Sequence, residues 1–454
     1  MTDNIQTRRL ARRKSLYWRI HFWAALVATP FALLATLTGM LYVFTPQIEA
    51  ALYGHLDHVA PHGAMQPLDT SVAAAEKAAP RGWVVQNVVP PFQATDSVQV
   101  AFAPPGVQVD EHAGHHMPGM KPPAAKPAFV PPAQAVVVYV NPYDASVLGS
   151  LASSQRFNNW ARKLHSRLLQ TDGWRWMIEL AASWLMVMLV TGVILWWPRG
   201  AQSGLPKKGA TGRNGWRQWH AFLGVALGLV SFVILTTGLT WSQQAGGRIR
   251  TLRDISGQAN PPVPRSLHSC EDVHGGPLDW QGAWQAARSN APAIALQLTA
   301  PASQQDVWRV TMADRSQPLK RFDLQLDAYS GKPLYYSGWD DQTAFGKATA
   351  IGIPFHRGEF GWWNQALLFV FGASVLFSLV SGWIMFFKRR TPGTLGLPKL
   401  LPGAWTSPSP LAWLVAAGMC ALMPLLLISG AVLALLELGL AAAHARPARA
   451  GRTR

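Results

Sequence analysis

Five apolar runs, each longer than 20 residues, most constrain what this chain can fold into. Soluble cores rarely use runs of that length, whereas a helix needs about 20 apolar residues to cross the hydrocarbon layer of a membrane. Tryptophans mark most ends of the runs, as they do at membrane interfaces. The sequence therefore predicts a membrane all-α bundle of five helices, at residues 18–44, 174–197, 216–241, 362–387 and 411–438.

The charges predict the orientation of these spans. The formal net charge is +17 although only 14% of the residues are charged, and in a membrane protein such an excess indicates cytoplasmic anchors beside lipid rather than nucleic-acid binding. The basic clusters of the tail 1–17 and of the loops 198–215 and 388–410 share one side if the amino terminus is cytoplasmic. The basic tail 439–454 then lies outside, against the positive-inside rule.

Two long segments, residues 45–173 and 242–361, separate the spans and are predicted to form small α/β domains on the outer side. A β-branched run at 136–140 and alternating stretches at 307–311 and 322–327 are strand signals, followed by turns with Gly, Asp or Pro. Residues 104–134 are rich in Pro, Ala, His and Met, which predicts an irregular insertion in the first domain.

The first and third spans share one pattern. Each carries a histidine after Trp-Arg and a glycine 18 residues further along, and the residues are His21 with Gly39 and His220 with Gly238. Because 18 residues make five turns, each glycine is predicted on the face of its histidine, about 27 Å along the helix axis.

The second and fourth spans also match each other. His165 and His356 precede them, and a small pair, Thr-Gly or Ser-Gly, lies near their other ends at Gly192 and Gly382. Each half of the chain then contributes one membrane hairpin interrupted by an outer segment. This arrangement predicts an internal twofold repeat about an axis along the membrane normal.

The four histidines are predicted at two depths, with His21 and His220 near the cytoplasmic face and His165 and His356 near the outer face. Ionisable residues inside a bilayer are costly and usually functional, although a single histidine at a helix end is more often an interfacial or capping residue. Paired imidazoles from facing helices suit haem iron, whereas zinc takes four ligands at one depth. Since the chain lacks Cys-x-x-Cys-His, two b-type haems are predicted.

The four glycines refine this hypothesis. Gly39 and Gly238 are predicted beside a haem at the outer depth, and Gly192 and Gly382 beside one at the inner depth, where a missing side chain makes room for the macrocycle. Close packing of helices through small residues explains the glycines equally well.

Several motifs resemble the PepSY-associated transmembrane family over about residues 8–392. They are the Trp-Arg before the first histidine of each half, the Leu-His and Phe-His elements, the Thr-Gly-x-x-Leu-Trp-Trp-Pro-Arg end of the second span and the turn Asp-Ala-Tyr-Ser-Gly-Lys. That family includes a siderophore reductase similar to ferrioxamine reductase. The resemblance implies a di-haem protein of the bacterial inner membrane with two periplasmic PepSY-like domains, and an axial role for His21, His165, His220 and His356. The chain departs from the family in the insertion and in the turn at 141–146, which lacks the expected glycine.

Two haems at two depths predict a route for electrons across the bilayer. No Gly-x-Gly-x-x-Gly follows a strand, so the expected donor is another molecule, a cytoplasmic flavoprotein or a quinol. The expected acceptor is a ferric siderophore or another ferric chelate, because Fe(II) is held less well by hard oxygen ligands. Arg162, Arg167 and Arg357 are predicted to attract an anionic chelate, although contact with lipid phosphate is the more common role of such residues.

Two other functions remain open at this level. The outer domains would act as a sensor or regulator if the helices were only anchors. The stretch containing His112, His115, His116, Met117 and Met120 carries ligands that suit copper, above all Cu(I), and it indicates copper handling, unless it is a plain irregular insertion.

Overall fold

The computed structural model describes residues 2–105, 108–109, 129–130, 135–197, 205–264, 267–270, 276–394 and 396–450. The His/Met stretch at 112–120, with His112, His115, His116, Met117 and Met120, lies outside these residues. The chain forms two compact units, each assembled from separate stretches. The helical unit comprises Met1–Met40, Leu164–Leu252 and Ala366–Arg454, and the sheet unit comprises Leu41–Lys163 and Arg253–Gln365.

Helices account for most of the described chain. In chain order they are α1 Thr2–Val43, α2 Thr45–Asp57, α3 Leu68–Ala78, α4 Phe157–Arg167, α5 Trp176–Trp196, α6 Gly212–Ala226, α7 Gly228–Thr240, α8 Gln244–Ile255, α9 Trp280–Asn290, α10 Ala344–Arg357, α11 Trp362–Arg389, α12 Pro410–Leu422 and α13 Pro424–Ala450. Within the described residues, three unbroken helices are long and apolar enough to cross a membrane: Ile5–Val43, Asp172–Trp196 and Trp362–Arg389. The chain is therefore a multi-pass membrane protein.

The third and fifth predicted spans are bent. The axes of α6 and α7 differ by 60°, and those of α12 and α13 differ by 117°. Pro424 explains the sharper bend, because proline lacks the N–H that continues a helix and its ring collides with the preceding turn. The count of five spans is reached only if each bent pair is one span, and the spans at 216–241 and 411–438 are then broken helices.

Two sheets are present in the described residues. The strands are β1 Val84–Val89, β2 Val98–Ala103, β3 Gln108–Val109, β4 Phe129–Val130, β5 Val136–Val140, β6 Val147–Ala152, β7 Leu296–Thr299, β8 Trp308–Met312, β9 Asp323–Leu326 and β10 Pro333–Ser337. Eight of them form one sheet in the order β10-β9-β8-β7-β1-β2-β5-β6, and β3 pairs with β4. All pairs in the large sheet are antiparallel.

The large sheet joins the two outer segments of the sequence. Strands β1, β2, β5 and β6 come from the first segment and β7 to β10 from the second, and they meet where Val88 of β1 pairs with Leu298 of β7. One core cluster contains both residues, each fully buried, together with Phe102 and Phe322. Two separate domains were expected, and the structure instead contains one sheet with one core. The reason is that β1 and β7 would each expose an unpaired edge alone.

One helix from each half covers this core. Val72 and Ala75 of α3 are buried in the cluster, as are Ala283 and Ala287 of α9. The two helices cap each other, because the Asp69 carboxylate accepts hydrogen bonds from the backbone N–H groups that start α9, at 2.9 and 3.0 Å. These caps satisfy donors that a helix start leaves unpaired.

Candidate functional site

The imidazoles of His21 and His220 lie close together in the helical unit. His21 is on α1 and His220 on α6, and their ring centroids are 6.4 Å apart with the ring planes at 78°. Both side chains are half-buried. The structure therefore brings together the two histidines that the sequence repeat assigns to one depth.

Each ring contacts one hydroxyl group, and the two hydroxyls come from two further helices. The Nδ1 of His21 is 3.0 Å from Thr191 Oγ1 on α5, and the Nδ1 of His220 is 3.0 Å from Ser381 Oγ on α11. Thr191 and Ser381 are themselves 5% and 0% exposed, so solvent does not compete for these contacts. Each hydroxyl precedes a glycine in the sequence.

Those glycines let the helices approach the rings. A Cβ placed on Gly192 would be 3.5 Å from Cε1 of His21, and one on Gly382 would be 3.9 Å from Cε1 of His220. Both glycines therefore lie beside the histidines predicted for the inner depth. Their immediate neighbour is the imidazole itself, which makes ring placement a more direct role for them than room for a macrocycle.

The pair fits a bis-imidazole iron site. An imidazole nitrogen binds a transition metal at about 2.0 Å, and the ring centre lies about 1.1 Å behind it, so two imidazoles that share one iron have centroids about 6.2 Å apart. The observed 6.4 Å matches this separation. Among the described residues there is no group of three or more His, Cys, Asp or Glu for a metal ion held by side chains alone. A haem needs only two such ligands, because the porphyrin supplies the other four.

His165 has the same kind of partner. It lies at the end of the short helix α4, and its Nδ1 is 3.1 Å from Thr38 Oγ1 on α1. A Cβ on Gly39 would be 3.1 Å from Cε1 of His165, which is too close for unstrained packing. The structure thus joins His165 to the Thr-Gly pair of the first span.

His356 belongs to the sheet unit, at the end of α10. That helix stops at Gly358, whose φ of +76° is a left-handed conformation that glycine adopts without strain. The neighbouring Arg357 pairs with Glu359 at 2.9 Å and donates from Nε to the Tyr42 hydroxyl at 3.1 Å. Burial raises the pKa of the Glu359 carboxyl, and the Arg357 charge opposes that effect.

Two of the arginines predicted to attract an anionic chelate carry paired charges. Arg357 bonds to Glu359, and Arg167 forms an ion pair with Asp172. Arg162 instead donates to the Asn159 side chain at 3.0 Å. Because a carboxylate offsets each of the first two charges, their attraction for a distant anion is weaker than the sequence suggests.

The place of Gly238 beside a haem stays a prediction. That prediction assumed one straight helix from His220 to Gly238, and the 60° bend between α6 and α7 lies between them. The turns on either side of the bend no longer share a face.

Sequence reasoning missed the hydroxyls and one ion pair. The available signal was that Thr38, Thr191 and Ser381 each precede a glycine of the repeat. Beside His21, Arg19 donates to both carboxylate oxygens of Glu437 on α13, at 2.6 and 2.8 Å. A single acidic residue in an apolar run is a signal for such a pair.

The comparisons with known proteins agree with this organisation. A family model described as the PepSY-associated TM region matches residues 18–389. No curated protein matches the chain.

Proposed function

The chain belongs to the family of the PepSY-associated TM region, and on that premise we propose that it is a haem-dependent ferric-chelate reductase of the bacterial inner membrane. Its helical unit carries electrons across the bilayer from a flavoprotein or quinol to a siderophore-type chelate of Fe(III) outside. The amino terminus lies in the cytoplasm, as the basic clusters at 1–17, 198–215 and 388–410 require by the positive-inside rule.

One observation carries the proposal: the rings of His21 and His220, from different helices, are 6.4 Å apart. A histidine at a helix end ordinarily contacts headgroups or backbone carbonyls. Two imidazoles that face one another between packed helices, each with a buried hydroxyl on Nδ1, are better explained as ligands of one iron. They supply the neutral nitrogen donors that haem iron takes as axial ligands.

Haem, when bound there, supplies an iron that gains and loses one electron with no open coordination position. Reduction of the chelate would then be outer-sphere. The residues of this chain would have to hold the haem, orient it and shield it from water. His21 and His220 would hold the iron, and Gly192 and Gly382 lie beside the two rings.

We also propose a second haem with His165 and His356 as its ligands. The support is the sequence repeat, in which each half contributes one histidine at each depth, and the Thr-Gly partner that His165 shares with His21. The strand order, which reads alike outward in both directions from the β1–β7 pair, supports an internal twofold duplication with one PepSY-like domain in each half.

Reduced-minus-oxidised spectra test the haem part of the proposal. The full chain, expressed with ample haem and purified in detergent, is expected to carry about two low-spin haems per chain. His21→Ala and His356→Ala should each lose one, and the spectrum that remains should differ between them. His55→Ala is the matched control, because His55 is an exposed histidine outside the site.

The reductase part needs a second measurement. Protein reduced with dithionite and freed of excess reductant is mixed with a ferric siderophore under argon, and Fe(II) is followed with a chromogenic ferrous chelator. One Fe(II) should form for each haem reoxidised. A colourless wild-type protein would favour the sensor function. A protein that binds haem but reduces no ferric chelate would contradict the proposed substrate.

A further inference from the structure

Three histidines of the helical unit share one hydrogen-bond pattern. In each case Nδ1 contacts the hydroxyl of a Thr or Ser that precedes a glycine on a neighbouring helix; the pairs are His21 with Thr191, His220 with Ser381 and His165 with Thr38. The three N–O distances are 3.0, 3.0 and 3.1 Å. Because the same contact occurs at three separate helix pairs, we expect it to have the same role at each histidine.

Counting hydrogens identifies the donor in each contact. A hydroxyl has one hydrogen, and each of these hydroxyls already donates it to a carbonyl of its own helix. Thr191 donates to Val187 at 2.7 Å, and Ser381 donates to Ser378 at 3.1 Å. Thr38 donates to Leu34 at 2.7 Å. With its hydrogen on the helix carbonyl, the hydroxyl oxygen accepts in the contact with the ring, and the hydrogen of that contact belongs to the imidazole Nδ1.

The tautomer decides which ring nitrogen can bind a metal. A neutral imidazole protonated on Nδ1 has its lone pair on Nε2, which is the nitrogen that then ligates a metal.

We infer that Thr191 and Ser381 are positioning residues that fix the Nδ1–H tautomer of His21 and His220 and present Nε2 to the iron. The inference rests on the proposed function, since it assigns residues that act through the ligands. Each ring is contacted at Nδ1 by a hydroxyl, and a glycine that leaves space for a Cβ lies on the side of Cε1. These contacts limit rotation of the ring as well as its protonation.

The hydrogen bond also affects the electron affinity of the site. An Nδ1–H that donates to an oxygen makes the imidazole a more basic ligand. A more basic ligand stabilises the higher charge of Fe(III), so both hydroxyls lower the midpoint potential of the haem they support. Loss of either acceptor should therefore raise that potential.

Thr191→Val is the decisive variant, because valine keeps the β-branched shape and removes the hydroxyl. We expect haem to be bound about 10- to 100-fold more weakly, as for other outer-shell partners of metal ligands, and the midpoint potential of one haem to rise. Transfer of haem to apomyoglobin measures the first quantity, and a redox titration of the α band measures the second. Thr191→Ser retains the hydroxyl and should restore both.

Ser183→Ala is the matched control. Ser183 is on the same helix, is fully buried and donates to its own helix at Glu179 O, but no histidine contact is described for it. Ser381→Ala with Ser381→Thr provides an independent pair on α11. If Thr191→Val and Ser381→Ala bind haem as tightly as Ser183→Ala with unchanged potentials, the inference is wrong. A wild type without haem would instead overturn the proposed function, so the two failures are distinguishable.

Discussion

At the scale of single residues, glycines determine how closely helices approach the histidine rings. A Cβ added to each of three glycines would lie at a different distance from Cε1 of the neighbouring histidine. The distance would be 3.1 Å at Gly39, 3.5 Å at Gly192 and 3.9 Å at Gly382. Carbon–carbon contacts below about 3.5 Å are repulsive. The three positions should therefore differ in their tolerance of a methyl group.

We expect Gly39→Ala to reduce haem content most, Gly192→Ala less and Gly382→Ala hardly at all. The haem-to-protein ratio of purified variants measures this order. Gly224→Ala is the control, because no atom lies within 4 Å of a Cβ there and alanine favours helix. Equal losses at all three positions, or the largest loss at Gly382, would contradict the steric explanation.

The two turns that end β5 and β9 show a different use of glycine. Gly331 has a φ of +68°, and Ala145 at the corresponding place has a φ of +57°, so the turn lacking its expected glycine keeps the same backbone with an alanine. The Asp327 carboxylate accepts from the N–H groups of Tyr329 and Ser330 at 3.0 and 2.8 Å. These bonds lower the pKa of Asp327.

Gly331→Ala should destabilise the sheet unit by more than Gly63→Ala. Their φ values of +68° and +69° are alike, so both substitutions should lose about 1 kcal/mol to left-handed strain. Only Gly331 adds a clash, with a Cβ 2.9 Å from that of Ala286, which should bring the total to about 2–4 kcal/mol. Thermal unfolding in detergent compares the two, and equal midpoints would show that strain alone matters.

At the scale of elements, the carboxyl-terminal helices are sharply bent, and a broken span and a re-entrant hairpin are the two topologies that fit. Helix α12 has 13 residues and is about 20 Å long, too short to cross the bilayer, and α13 turns back by 117°. Arg19 contacts both Pro398, in the loop after α11, at 2.6 Å and Glu437, midway along α13. The loop and Glu437 are therefore at the same level as Arg19, which favours a re-entrant hairpin.

This topology predicts that both chain ends lie on one face of the membrane. In a background without Cys270 and Cys420, a cysteine added after Arg454 should react with impermeant maleimide from the same side as Gln6→Cys. It should react from the side opposite to Gly63→Cys, which marks the sheet unit. The basic tail 439–454 would then obey the positive-inside rule. If the added cysteine instead reacts from the same side as Gly63→Cys, α12 and α13 cross the membrane as one span.

At the scale of the whole molecule, two segments far apart in sequence share one sheet. Val88 and Leu298 pair across the β1–β7 junction and are fully buried in the common core, with 0% solvent exposure. Burial of an edge strand of each half removes unpaired N–H and C=O groups from solvent. The two halves should consequently lose their structure together.

Val88→Asp should unfold both halves of the sheet, at a loss above about 4 kcal/mol, because it buries a carboxylate at the junction. Val84→Asp is the control on the same strand, where the residue is 43% exposed, and it should change little. Limited proteolysis mapped by mass spectrometry would reveal cleavage in both segments. Cleavage confined to residues 45–163 would show that the halves are independent.

The sequence by itself determined the membrane class, the apolar helices and the two histidines of the inner pair, because run length, residue type and repeat spacing are readable locally. Val136–Val140 was likewise predictable as a strand, since β-branched residues favour it. The histidine pattern was readable because both halves carry it at matching positions.

Only the tertiary structure decided the single sheet, the two bent helix pairs and the hydroxyl partners of the rings. Edge pairing of β1 with β7 joins residues more than 200 positions apart, and neither strand specifies its neighbour locally. Thr191 reaches His21 across 170 positions, and Arg19 reaches Glu437 across 418. Such contacts depend on how packed helices place side chains in space, which periodicity within one helix does not contain.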